Sequence, residues 1–255
     1  QMTSNEYVMN VVRNHALPAQ LDTNTVYYVV NPLKRVIAEW AGSCLCETKL
    51  SGSRAKGTAI DLSTDLDLFI SLTSNTTNSL KEIYDSLYNW VTRKGITARK
   101  QNVSIGITYG GQKIDLVPAK RQGQYGNDHS LYRSKADTWT KTNIDTHISR
   151  VNNSGRRNEI IALKVWRENH RLEFPSIYLE TLAIDALSGR YSSDTASNFS
   201  YLLRYIGDNI GSLRVVDPAN SNNILSDDLT AGEKRILSTQ AQKSLTEQYW
   251  EQIIW

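Results

Sequence analysis

Cysteine is scarce: the chain has only two, Cys44 and Cys46. Two positions apart on a strand, their side chains would share one face, and that geometry does not suit a disulfide. No further Cys or His stands at zinc-ligand spacing from them, so a structural zinc site, or an insertion built around one, is excluded. Both read as packing residues. Long hydrophobic runs are also missing. No segment approaches the roughly 20 apolar residues that a membrane-spanning helix requires. The opening residues, Gln1-Met2-Thr3-Ser4-Asn5-Glu6, have neither the basic nor the apolar region of a signal peptide. The expectation is a cytoplasmic protein with no membrane association. An excess of one charge is lacking too. The formal net charge is +3, which fits a protein that handles polyphosphates. It falls far short of the basic surplus of a dedicated nucleic-acid-binding domain. Internal repeats and low-complexity tracts are absent.

What is present is a chain of 255 residues, long enough for one large domain or two modest ones. Asn31-Pro32 predicts a helix start, with Asn as cap and Pro in the first turn. Leu33, Val36, Ile37 and Trp40 follow at helical spacing, and Gly42 stops the run. Residues 44–50 and 64–72 read as strands around a glycine- and serine-containing turn at 51–58. Residues 79–94 form an amphipathic helix ended by Gly95. Residues 98–109 and 113–118 read as two strands joined by the turn Gly110-Gly111. Beyond about residue 150 the pattern becomes helical, with helices expected over 156–170, 176–187 (capped by Ser176), 198–206 and 232–254. The fold class expected is α+β. A sheet-containing domain at 1–150, whose N-terminal helices could pack on both lobes, precedes a helical domain at 151–255, with a cleft between them.

The chemistry lies in one short stretch. Asp65-Leu66-Asp67 sits in the second strand, where alternation puts both carboxylates on one face and Leu66 and Leu68 on the other. Two neighbouring carboxylates repel, and a divalent cation resolves that conflict. A third carboxylate, Asp115, comes from the apolar strand Lys113-Ile114-Asp115-Leu116-Val117-Pro118. Three such groups can hold two Mg²⁺ ions, with Mn²⁺ as a substitute. One ion activates the attacking hydroxyl and the other neutralises a leaving pyrophosphate. Ahead of them, Gly52 allows the backbone to approach a phosphate closely, and Ser53 adds hydrogen-bond donors at a helix start. Arg54 and Lys56 add positive charge.

Ser51-Gly52-Ser53-Arg54-Ala55-Lys56-Gly57-Thr58 together with Thr64-Asp65-Leu66-Asp67-Leu68-Phe69 resembles the nucleotidyltransferase signature of the DNA-polymerase-β superfamily. Within it, the chain is most similar to the branch that holds archaeal-type CCA-adding enzymes, oligoadenylate synthases, cyclic GMP–AMP synthase and bacterial cyclic-oligonucleotide synthases. Lys113 to Ala119 resembles that branch's third-carboxylate strand. Trp139 to Asn143 with His147 resembles its crossing segment, and Val216 to Asn223 a late loop. Leu163-Lys164-Val165-Trp166 and Phe174 to Glu180 resemble two helices facing the nucleotide. The resemblance implies a polymerase-β-like lobe with a mixed sheet, packed on a helical lobe, with nucleoside triphosphate in the cleft. It implies that Asp65, Asp67 and Asp115 hold the metals, and that Gly52, Ser53, Lys164 and Ser176 bind the triphosphate. The family aromatic that stacks on the base is replaced here by Ile177. Tyr178, one position further, is open to either a stacking or a core role.

Three functions follow. The first is a synthase of cyclic or linear oligonucleotide second messengers, of the kind used in antiviral defence, which needs only nucleoside triphosphates; the chain's length suits a core without an appended domain. The second is an RNA 3′-end nucleotidyltransferase of the CCA-adding or tRNA-modifying type. It would need an RNA-holding surface that the sequence does not display, although a partner protein could provide one. The third is an inactive nucleotide-binding module, against which the intact carboxylate triad argues. The identity of any regulatory protein partner is left open.

Overall fold

The computed structural model describes residues 1–255. Helices α1 (Ser4–His15), α2 (Thr23–Thr25) and α3 (Asn31–Ala41) precede strand β1 (Leu45–Ser51), the short helix α4 (Gly52–Lys56) and strand β2 (Leu66–Leu72). Helix α5 (Leu80–Arg93) leads into β3 (Thr97–Lys100), β4 (Ile105–Tyr109), β5 (Gln112–Arg121), β6 (His129–Arg133) and β7 (Thr138–Thr142). Helices α6 (Ile144–Asn153), α7 (Arg157–Asn169), α8 (Ser176–Ala186) and α9 (Thr195–Asn209) follow. The hairpin of β8 (Val216–Asp217) and β9 (Asn220–Ile224) and helix α10 (Ala231–Thr246) complete the fold. The class is α+β. No helix is long and apolar enough to cross a membrane.

The chain packs as two compact units. The sheet unit comprises residues 18–56 and 64–148. Its strands lie in the order β1-β2-β5-β4-β3, with β6 added to β5 and β7 to β6. Only β2 and β5 run parallel, so the sheet is mixed. Alternation in β2 sends Leu66, Leu68, Ile70 and Leu72 into a core with Leu33 and Ile37 of α3 and Ile83, Leu87 and Val91 of α5. The opposite face carries Asp67 and Phe69, the latter in a smaller cluster with Ala119 and Leu131. Burying such side chains stabilises the unit by about 1.5–3 kcal/mol each.

The helical unit comprises residues 1–17, 57–63 and 149–255. Thus α1 and the loop after α4 join the helices rather than the sheet, which refines the division expected near residue 150. The cause is visible in the contacts. Val8, Val11 and Val12 of α1 and Ile60 of the loop enter the same core as Trp166, Leu179 and Phe199. Backbone bonds from Leu17 to the Ala59 carbonyl and from Asp61 to the His15 carbonyl tie the loop to α1. Trp166 is fully buried and donates from Nε1 to Ser244 Oγ at 3.0 Å.

Several local expectations change. Asn31 does not cap α3, because its backbone is already helical and a π-helical turn, Val26–Val30, joins α2 to α3. The cap lies upstream at Asp22, whose side chain accepts from the Thr25 amide at 2.8 Å. Residues 98–109 are two strands rather than one, since the chain reverses at Gln101–Ser104, closed by the Gln101 amide on the Ser104 carbonyl. Ser176 is the first residue of α8 and Pro175 occupies its cap position. Helix α10 ends at Thr246, and a separate 3-10 turn covers Trp250–Gln252. Strands β6 and β7 have no counterpart in the sequence reading.

Candidate active site

Strand register assembles the site inside the sheet unit. Ser51 of β1 pairs with Asp67 of β2, Asp67 with Asp115 of β5, Asp115 with Gly106 of β4, and Gly106 with Arg99 of β3. One transverse row across five strands therefore reads Ser51, Asp67, Asp115, Gly106, Arg99. Residues paired this way on adjacent strands lie about 4.8 Å apart and point to the same face. Asp67 and Asp115 are neighbours for that reason, although 47 residues lie between them in the chain.

Asp65 precedes β2 rather than lying within it, and it is exposed. The ladder bonds of β2 begin at Leu66, opposite Ile114. Ahead of them the Gln112 side chain, at the start of β5, donates to the Thr64 carbonyl at 2.8 Å. That bond holds the approach to Asp65 beside β5. Asp65 and Asp115 line one small cavity of about 90 Å³ with Arg99, Gly106, Thr108 and Lys113. Burial pushes the Asp115 carboxyl above the ordinary aspartate range, and the negative charge of Asp65 pushes it further; Arg99 and Gln101 pull it back.

Gly52 opens α4 immediately after Ser51, with φ of +63°. A methyl group there would lie 2.2 Å from Asp67 Oδ2 and 2.7 Å from its Cγ. The position thus requires glycine twice, once for the left-handed backbone and once for the approach of the carboxylate. Ser53 follows in the first turn of the same short helix. Arg54 is drawn away to the Pro18 carbonyl at 3.0 Å, and Lys56 is buried.

The donor set suits a hard divalent cation: carboxylate oxygens only, two of them register-paired and the third raising the proton affinity of its neighbour. The side chains as they stand do not draw together into a single metal-ligating group of three. The backbone register sets Asp67 and Asp115 side by side, with Asp65 just ahead of the ladder.

The helical-unit candidates lie in other surroundings. Lys164 is 2% exposed, donates to Thr58 Oγ1 at 2.9 Å and stands 3.4 Å from Glu180 Oε1, itself buried. Ser176 Oγ accepts from Arg167 at 3.2 Å. Tyr178 is fully buried among the helices, edge-on to Phe174. Of the two roles open to it in sequence, burial gives it the core one, and burial pushes its hydroxyl up to about 12. In the late loop, Asp217 closes the turn between β8 and β9, accepting from the Ala219 amide at 2.8 Å.

Three residues near the carboxylates went unnoticed in the sequence: Arg99, Gln101 and Gly106. The Gln101 amide lies between Arg99 and Asp115. Arg99 can only donate, so the amide oxygen faces it, at 3.2 Å from Nη2 and 3.3 Å from Nε. The amide nitrogen then donates to Asp115 Oδ1 at 3.1 Å and to Ser104 Oγ. The only sequence signal was a glycine inside a strand, which often marks a close approach. Among the histidines, His15 meets Asp61 at 2.7 Å and the Trp255 carbonyl at 2.9 Å, a partner that the sequence reading had not supplied.

Solved structures share this fold at low sequence identity. Among them are a bacterial CD-NTase, CdnG, and the bacterial proteins CdnC and CdnE. The E. coli MS115-1 CdnC bound to ATP is 18% identical, with a TM-score of 0.74 over 98% of this chain and 97% of that one. The Bradyrhizobium diazoefficiens CD-NTase CdnG in complex with GTP is 13% identical, with a TM-score of 0.75 over 98% and 95%. The Elizabethkingia meningoseptica CdnE cyclic dinucleotide synthase, solved with GTP and Apcpp, is 14% identical, with a TM-score of 0.70 over 96% and 100%. At these identities the likeness is one of fold. No protein-family model and no curated protein matches the sequence.

Proposed function

We propose that the chain is a metal-dependent nucleotidyltransferase that joins nucleoside triphosphates into a small cyclic or linear oligonucleotide messenger. The observation that carries this reading is the register that sets Asp67 beside Asp115, with Gly52 pressed against the Asp67 carboxylate. That arrangement occurs in a fold with three solved neighbours determined with ATP or GTP, one of them a cyclic dinucleotide synthase. Asp65, Asp67 and Asp115 are the ligands proposed for two Mg²⁺ ions, or Mn²⁺ in their place. When bound, such ions supply a more acidic attacking hydroxyl and charge neutralisation at the leaving pyrophosphate.

The chain's own residues do the rest. Gly52 and Ser53, at the start of α4, are proposed to bind the triphosphate through backbone amides and the Ser53 hydroxyl. Gln112 fixes the approach to Asp65, and Gly52 leaves room for Asp67. The proposal does not rely on Lys164, Ser176 or Tyr178, whose side chains are engaged inside the helical unit. A cytoplasmic setting and a part in antiviral defence belong to the same proposal and rest on the resemblance of the signature residues.

The test is to incubate the protein with ATP, GTP, CTP and UTP and Mg²⁺ or Mn²⁺, and to measure product masses. Small oligonucleotides are expected, some resistant to phosphatase because cyclisation leaves no terminal phosphate. Asp67→Asn should lower product formation by at least about a hundredfold while the protein stays folded, since the metals act on both nucleophile and leaving group. Wild-type turnover by that variant would remove the metal assignment. Labelling of added tRNA at its 3′ end, with no product from free nucleotides, would replace the messenger reading by RNA transfer.

A further inference from the structure

We propose that Gln101 is a positioning residue for Asp115, oriented by Arg99 and accommodated by the missing side chain of Gly106. This inference rests on the metal assignment made above. A primary amide can present either its oxygen or its nitrogen to a neighbour. Here the choice is made by Arg99, which has five N–H donors and no acceptor. Its Nη2 and Nε take the amide oxygen at 3.2 and 3.3 Å, so the nitrogen must face Asp115 Oδ1, at 3.1 Å. One carboxylate oxygen is thereby held from the β3–β4 side.

The interposed amide also settles a question of charge. An arginine bound directly to Asp115 would neutralise the negative charge that a cation needs from its ligand. An amide orients the carboxylate while adding no net charge. Arg99 is exposed; it fixes the direction of the amide, and its charge acts on Asp115 only from beyond that amide.

Gly106 makes room for the same pair. It lies between Arg99 and Asp115 in the transverse row. Its backbone is not left-handed, so conformation does not demand a glycine there. A methyl group would lie 2.9 Å from the terminal amide atom of Gln101, 3.1 Å from its Cδ and 3.3 Å from Arg99 Nε, so any side chain at 106 would displace the Gln101 and Arg99 side chains from this arrangement. A glycine inside a strand weakens it unless something must come close. What comes close is the Arg99–Gln101 pair.

Partners that orient metal ligands typically govern affinity by about 10–100-fold. The experiment titrates Mn²⁺ into the full chain in the presence of a non-hydrolysable triphosphate analogue, with bound metal read by electron paramagnetic resonance. Gln101→Leu should weaken Mn²⁺ binding at least about tenfold with little change in thermal midpoint. Arg99→Met, on an exposed edge position that tolerates change, should weaken it several-fold, and it serves if Gln101→Leu fails to fold. Asp115→Asn is the control for the metal site itself. If Asp115→Asn loses Mn²⁺ while Gln101→Leu and Arg99→Met bind it within twofold of the parent, the positioning role is wrong and the metal site stands. If Asp115→Asn binds Mn²⁺ like the parent, the metal assignment falls and this inference falls with it.

Discussion

Single residues decide how much of the chemistry can be tested by substitution. Gly52 is the sharpest case, because an added methyl meets Asp67 Oδ2 at 2.2 Å on a backbone with φ of +63°. Gly52→Ala should therefore impair the site rather than the core, with product formation falling about a hundredfold or more if one ligand is displaced. Measured rates near those of the parent would show that the carboxylate has room to retreat. Lys164 behaves in the opposite way. Its ammonium is buried beside Glu180 and Thr58, and removing one partner of a buried pair costs about 3–5 kcal/mol, because the other charge remains desolvated. Lys164→Met should lower unfolding stability by that order in urea titrations. A stable variant with weakened triphosphate binding would return Lys164 to the nucleotide site that the family resemblance implies.

At the level of elements, the helix starts carry a shared pH response. Ser79 with Glu82 opens α5, and Thr230 with Glu233 opens α10; each is a capping box. Hydrogen bonds from the Ser79 side chain and backbone hold Glu82 below its usual range, and those from the Thr230 backbone and side chain do the same for Glu233. Asp22 is lowered by the Thr25 side chain and amide. A carboxylate whose pKa is depressed on folding stabilises above its unfolded pKa, and that contribution disappears as pH falls through the folded value. The window thus opens below about pH 4.5 for the two glutamates, the ordinary value from which they are lowered. Thermal midpoints followed by circular dichroism should drop over that interval. Thr230→Ala should lower the midpoint at neutral pH and flatten the acid dependence. A variant whose acid profile matches the parent's would show that the α10 capping box makes no contribution.

For the whole molecule, the weak net charge of +3 bears on the acceptor. An enzyme that grips an RNA body through six or more phosphates loses about a thousandfold in affinity between 50 and 200 mM salt. A synthase of small messengers makes few phosphate contacts, so its rate over the same range should change by less than about tenfold. A steep salt dependence in the product assay would favour an RNA acceptor. The fold, the carboxylate row and the Gly52 turn would survive that outcome, because both reactions use the same triphosphate donor.

The amino-acid sequence by itself determined whatever depends on neighbours within a few positions. Alternation around Asp67 and Asp115 set which face of each strand carries a carboxylate. Gly42 and Gly95 ended their helices with φ of +55° and +78°, and the helical spacing of apolar residues marked α5. The Gly-Ser and Asp-x-Asp signature was legible because its chemistry is carried by one short stretch. Tertiary structure decided the remainder, since register and burial are set by groups far apart in the chain. The row from Ser51 to Arg99 exists only after five strands have paired, so Gln101 could not be linked to Asp115 beforehand. Tyr178 and Lys164 occupy helix positions whose surroundings come from Phe174, Glu180 and, more than 100 positions earlier, Thr58. Helix α1 joined the distal helices because its valines complete their core, a choice made by apolar contact rather than by proximity in sequence.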